Sequence, residues 1–374
     1  MPPRTGTRGF ALALTVFALA LIAALIAGVF FAARQEMRLG ENVRSAERAF
    51  DAAEAGLSAA VAQWDPATYD SLASGGVAEF TGRLPGGTGW YAGSVLRLNR
   101  RLFLIRSTGQ DAAAVARRSL AGLVRLVPAP LAFGAALTVT GPLVVGAASR
   151  VDGTDRPPAG WDCPPSGVAM PGVIIEGADE LSTPGCGDAS CLHGDPPVRI
   201  ASAFADSAAR AAAEEAWRLL TASATNVYEA GDGAAVGPRP SGTTTACDTS
   251  VRDNWGEAIV PPAVAGCSHH YPIIYAKGSL RVAGGSGQGI LLVSGDLEVD
   301  GGFTFFGPVI VRGKLLVEGA GARFLGGVRA SSAALLPSGA GTAEVAFSGC
   351  ALSSALLSRA PAAPLAERSW VQLF

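Results

Sequence analysis

Charge is scarce in this chain, and that scarcity excludes several functions at once. Acidic and basic residues make up 16% of the 374 residues, and the formal net charge is −2, against a usual charged fraction of about a quarter. No global basic field exists to draw the protein onto nucleic acid, so no nucleic-acid partner is expected. Metal-ligand spacing is missing too. Cys267, His269 and His270 are close in sequence, as are Cys191 and His193, but no C-x-x-C or H-x-x-x-H repeats. Adjacent histidines on an extended strand would point to opposite sides. The segment VDGTD at 151–155 lacks the remaining acids and the closing Glu of a calcium loop. No nucleophile elbow, P-loop or dinucleotide fingerprint stands in a usable context, and GGSG at 284–287 opens no helix. The chain is therefore expected to hold no metal, no cofactor and no catalytic residue.

Two further absences shape the N-terminus. No charged residue lies between Phe10 and Ala33, and no proline between Phe10 and Trp64. The first gap spans 24 residues, about 36 Å as helix and enough to cross a bilayer. Arg4 and Arg8 precede it and favour an N-inside orientation, although Arg34 and Arg38 on the other flank weaken the asymmetry. A secretory signal cut near Phe31–Ala33 is the competing reading, but its apolar core would exceed the usual length of about 7–15 residues. Past the span, Val43, Ala46, Phe50, Ala53, Leu57, Ala60 and Trp64 recur at steps of three and four. This amphipathic stripe predicts one helix over 10–65, spanning the membrane at 10–33, with Phe50, Leu57 and Trp64 covered by a partner.

The N-terminal pattern RGFALALTVFALALIAALIAG, followed by ENVRSAERAFDAAEAGL, resembles PilX-like type IV minor pilins. The segment AFDAAEAGL at 49–57 is its most specific part. The resemblance covers about the first 65 residues well, and more loosely a pilin-like sheet up to Val127. It implies a basic leader at 1–9, cut by prepilin peptidase between Gly9 and Phe10. It further implies packing of the mature helix with other pilins in the inner membrane, an N-terminus in the cytoplasm and a head in the periplasm or outside. Most major pilins carry Glu five residues into the mature chain, where this chain has Leu14. That departure argues against a bulk filament subunit and suits a tip or priming subunit, or one that stays in the membrane.

A small antiparallel sheet is expected over 66–128. Residues 89–98 and 101–107 read as strands around a tight turn at Asn99–Arg100, and 117–127 as a third. Arg97, Arg100, Arg101 and Arg106 form a basic cluster that reads as a solvated outer face, with an anion site as the alternative. The clearest repeat comes later. GSLRVAG at 278, GDLEVDG at 295 and GKLLVEG at 313 share G-x-L-x-V-x-G at spacings of 17 and 18, preceded by IIYAK, LLVS and VIVR. Phe305-Phe306-Gly307, Phe324-Leu325-Gly326 and Phe347-Ser348-Gly349 form a third recurring block. Short strands with glycine corners at this period predict a parallel β-helix with its Leu and Val inside, Arg281 beside Glu298 and Asp296 beside Lys314.

The fold class is therefore α+β, mainly β. A first rung is expected at 129–149, a cysteine-containing insertion with one helix near 203–221 at 150–270, and rungs with a C-terminal cap at 271–374. Six cysteines in a chain facing the periplasm imply disulfides. Fifteen pairings exist, and nearness alone suggests Cys186 with Cys191 and Cys247 with Cys267. The functional reading is a non-enzymatic pilin-like protein for pilus assembly, priming or adhesion. The alternatives are a membrane-anchored β-helix acting on or binding polysaccharide, for which Asp296, Glu298 and Asp300 would be the acids, and a polymer-forming anchor of the bactofilin kind.

Overall fold

The computed structural model describes residues 8–161, 163, 167–187, 190–201, 207–231, 235–258, 266–365 and 370–373. The chain divides into two units. The first holds the N-terminal helix Arg8–Ala62 and an antiparallel sheet. Strands Val77–Arg83, Gly89–Arg97, Leu102–Asp111 and Arg117–Leu126 form a meander in chain order. The hairpin turn between the second and third is closed by the Asn99 side chain, which accepts from the Arg101 and Leu102 amides at 2.8 and 2.9 Å. Val77–Arg83 was not anticipated: its small and polar residues give little strand signal. The C-terminal segment is no cap. Ala362–Pro364 and Trp370–Leu373 join the edge of this sheet beside the fourth strand, because Trp370, Val371 and Leu373 suit a strand as well as they suit a lid; residues 366–369 and 374 lie outside the described residues.

The second unit is one large parallel sheet folded through three columns of pairing. The first column passes through Asn226–Tyr228, Ile273–Ala276, Ile290–Val293, residues 309–311 and 328–330, then Leu137–Val139, Val173–Ile175 and Val198–Ile200. The second runs through Leu280–Val282, Leu297–Val299, 315–317 and 333–335 to Leu143–Val145 and Leu181–Ser182. The third runs through Gly285–Gln288, 303–306, 321–326, Thr342–Phe347, Ser149–Asp152 and Leu192–His193. The passages between the two ends visit all three columns and then step up one strand spacing, about 4.8 Å, whereas Asn226–Tyr228 and Val198–Ile200 are strands of the first column alone.

Alternation decides which residues go inside. Leu280, Val282, Leu297, Val299, Leu315 and Val317 are buried, while Arg281 and Glu298 between them are exposed. Phe305 aligns with Phe324, but the next partner is Val345; Phe347 faces Gly326 instead. The aromatic block therefore slips by two residues in its third copy. Gly307 and Gly326 pair at a shared corner with φ of 131° and 148°, a conformation that side-chain-bearing residues rarely adopt. At one end Trp255 plugs the interior, edge-on to Phe303 and Phe305 at 6.0 and 6.2 Å. Its indole donates to Tyr228 Oη, which donates in turn to Asp253.

The order of passages is not the order of the chain, and this corrects the expected insertion. Residues 150–270 are not one loop between consecutive rungs. Val173–Ile175, Leu181–Ser182, Leu192–His193 and Val198–Ile200 continue the stack outward from 137–152. The chain then forms the helix Ser207–Ala222 and re-enters at the opposite end with Asn226–Tyr228. From there it builds back until 328–347 lies directly against 137–152, with Val328 beside Leu137 and Val345 beside Val151. The seam in the middle thus joins segments about 190 residues apart. The extra strands escaped the sequence reading because they are two to four residues long, too short to show a period.

Candidate assembly helix

Helix Arg8–Ala62 is unbroken over 55 residues, as a segment without proline allows. Gly9 and Phe10, the residues flanking the expected cut, lie in its first turn; residues 1–7 of the expected leader lie outside the described residues. From Leu12 to Phe31 the apolar side chains are exposed, Phe30 by 70%, with none of the span buried against the protein. So large an apolar surface is a liability in water and suits lipid, where a helix satisfies its own backbone groups. By length and composition the helix can cross a membrane.

The helix docks on the sheet through what its residues lack. Ala49, Ala52, Ala53, Gly56 and Ala60 are buried at helical spacing. Opposite them, a Cβ added at Gly109 would collide with the Ala49 carbonyl and the Ala53 amide, and one added at Gly56 with Ser107 and Tyr91. Helix backbone and sheet backbone are therefore nearly in contact. Phe50 and Leu57, expected to be covered by a partner, are only half-buried. Trp64 meets Phe103 edge-on at 4.9 Å. The stripe of small residues was legible in AFDAAEAGL, but a reading weighted toward bulky side chains passes over it. The contact also carries a polar tie. Asp111 accepts from the Val115 and Ala116 amides at 2.8 and 2.9 Å. The Ala116 amide holds its carboxyl below the usual carboxylate range against the effect of burial, helped by the Val115 amide and the Ser45 hydroxyl of the helix.

The other candidate residues lie in the second unit and form no shared cleft among the described residues. Disulfides join Cys186 to Cys191, Cys247 to Cys267 and Cys163 to Cys350. The sulfur of Cys267 is thus committed to a bond with carbon-bound sulfur and stands beside Asn254. His270 is half-buried; burial and then the Arg359 guanidinium lower its pKa. In VDGTD, burial would raise the Asp152 carboxyl, but the Thr154 amide, Arg150 and Arg156 outweigh it and hold it low. That aspartate is already neutralised by two arginines. The acids of the rival catalytic reading are dispersed: Asp296 accepts from the Lys314 amide, Asp300 pairs with Arg281 at 2.8 Å, and Glu298 stands between Arg281 and Leu316. Arg281 reaches past Glu298, its register neighbour, to the longer-range partner.

No protein-family model matches the chain, and a search of curated proteins returned no relative. Among solved structures, the competence-associated pilin ComZ from Thermus thermophilus aligns over 88% of this chain and 97% of its own, at 12% identity and a TM-score of 0.28. That score is too low for the two folds to be called alike.

Proposed function

We propose that this protein is a PilX-like minor pilin or pilin-like assembly protein that works without catalysis and displays a parallel β-helix as its head. The observation that carries the reading is the division of labour along one helix. From Leu12 to Phe31 it is apolar and exposed, while residues 49–60 bind a sheet through alanine and glycine. A detached signal peptide has no use for continuity with a docked helix, whereas a subunit that packs in a membrane and then in a fibre needs both halves in one rod. Membrane lipid, prepilin peptidase and the helices of other pilins are the partners this implies, with a single pass, a cytoplasmic N-terminus and an outward-facing head. Nucleic acid is not among them. The period of the parallel columns, Ile273 beside Ile290 and Leu291 beside Val309, supports naming the head a β-helix. Such folds also serve polysaccharide-cleaving enzymes, but a fold alone gives no chemistry.

The test is the mature N-terminus of protein purified from membranes. A start at Phe10, lost in Gly9→Val, is expected. A start near Arg34 would mean ordinary secretion, and an intact Met1 a simple anchor; either result sinks the assembly reading.

A further inference from the structure

The charge of the antiparallel sheet is almost all of one sign. Residues 72–125 contain eight arginines, no lysine, and only Glu79 and Asp111 as acids. Asp111 is buried and occupied by the amides of its own loop. Pairing register shows where the arginines stand. Gly109, Ser107 and Tyr91 meet the helix, so residues of the opposite parity form the outer face. There Arg83 lies opposite Trp90, Trp90 opposite Gln110 and Gln110 opposite Arg117, in one row across four strands. The next row is Thr81, Ala92, Thr108 and Ser119, and the third is Glu79, Ser94, Arg106 and Ala121.

Arg83, Arg106 and Arg117 are exposed, and none of them takes part in an ion pair among the described residues. Gln110, with its amide oxygen turned toward Arg117, accepts from that guanidinium and fixes it. Arg83 and Arg117 are three strand spacings apart, about 14 Å. Between that row and Arg106 the floor is low and rich in hydroxyls, with Thr108 and Ser119 bonded to each other at 2.9 Å. At the outer strand a cavity of about 300 Å³ opens between Thr81, Arg83 and Trp90, bounded by Gly82 and Tyr91.

Guanidinium forks match carboxylates in bidentate geometry. An exposed indole offers an apolar plane with a polar tip. Hydroxyls on the floor exchange hydrogen bonds with other hydroxyls. We propose that this face binds a linear polysaccharide bearing carboxylates, with uronate groups on Arg83, Arg106 and Arg117 and a sugar ring against Trp90. A single-stranded nucleic acid fits less well, because stacking platforms for it use several aromatic rings along the track, and this face has one among the described residues. The inference does not depend on the fate of the helix: it needs the folded sheet alone.

The experiment uses the full-length protein in lipid nanodiscs, with polygalacturonate, neutral dextran and a thymidine 30-mer as probes. Binding to polygalacturonate is expected, weakening as salt rises. The triple variant R83Q/R106Q/R117Q should bind at least tenfold more weakly, and W90A several-fold. R281Q and R323Q, whose arginines pair with acids on the parallel stack, should bind as the parent does. Circular dichroism and amide exchange of the sheet keep loss of binding separate from loss of fold. Parental affinity in the triple variant, equal binding to dextran, or a stronger response to the thymidine 30-mer would each overturn the proposal. An uncut N-terminus with intact polygalacturonate binding would count against the assembly reading only.

Discussion

The two units solve the same packing problem by opposite means. The parallel stack fills its interior with Leu, Val and Phe in register, so its cohesion is a matter of volume supplied. The helix and antiparallel sheet instead approach so closely that volume must be withheld, with glycine facing alanine backbone. One region should fail when a side chain is shortened and the other when one is lengthened. The difference also divides the charges, since the sheet holds nearly all its charge as arginine while the stack intersperses both signs.

The largest effect should come from the stack. Phe324 is buried against Phe303 at 5.8 Å and beside Phe305 in register. Phe324→Ala should cost about 3–5 kcal/mol by chemical denaturation, with faster amide exchange in the stack and unchanged exchange in the sheet. Equal acceleration in both would end the comparison. Next is the seam. Cys163 and Cys350 are 187 residues apart, and replacing both by Ser should lower stability by about 2–4 kcal/mol, with the loss read in peptides of 137–152 and 328–347. If those peptides exchange as before, the seam does not depend on the bond. In the sheet, Gly109→Val should cost about 1–3 kcal/mol and release the helix, whereas the same change at an exposed strand position such as Thr81 should be nearly silent. A silent Gly109→Val would show that the close approach is not needed.

The smallest effect is a pH dependence confined to the stack. His270 has a folded pKa below its ordinary value, through burial and then Arg359. The unfolded chain therefore takes up the proton first, so stability present above about pH 6.5 declines as pH falls below it. His270→Gln should flatten that decline in denaturation series between pH 7.5 and 5.5. An unaltered slope would assign the titration elsewhere.

Strong periodicity made much of this architecture legible before any coordinates. The helix shows in its apolar run, and the repeats G-x-L-x-V-x-G give the buried Leu and Val of three passages directly. Passages without a period were invisible: Leu181–Ser182 and Leu192–His193 are strands only because neighbours present ladders to them. The adjacency of 137–152 to 328–347 could not be read either, since both carry generic Leu and Val and nothing local specifies the partner across so long a separation. Arg83, Trp90 and Arg117 are scattered in sequence and become one row only through register.

The seam has a consequence for how a newly made copy completes itself. The strands at 137–152 are made well ahead of 328–347 and must wait for them before their ladder is closed on that side. Long-separation pairing is slow to find, and an open strand edge invites foreign strands meanwhile. A copy cut short before 328 would thus leave two half-stacks facing an empty storey, each with a bare ladder that proteases and holding chaperones can recognise. Arrival of 328–347 is what closes both half-stacks into one.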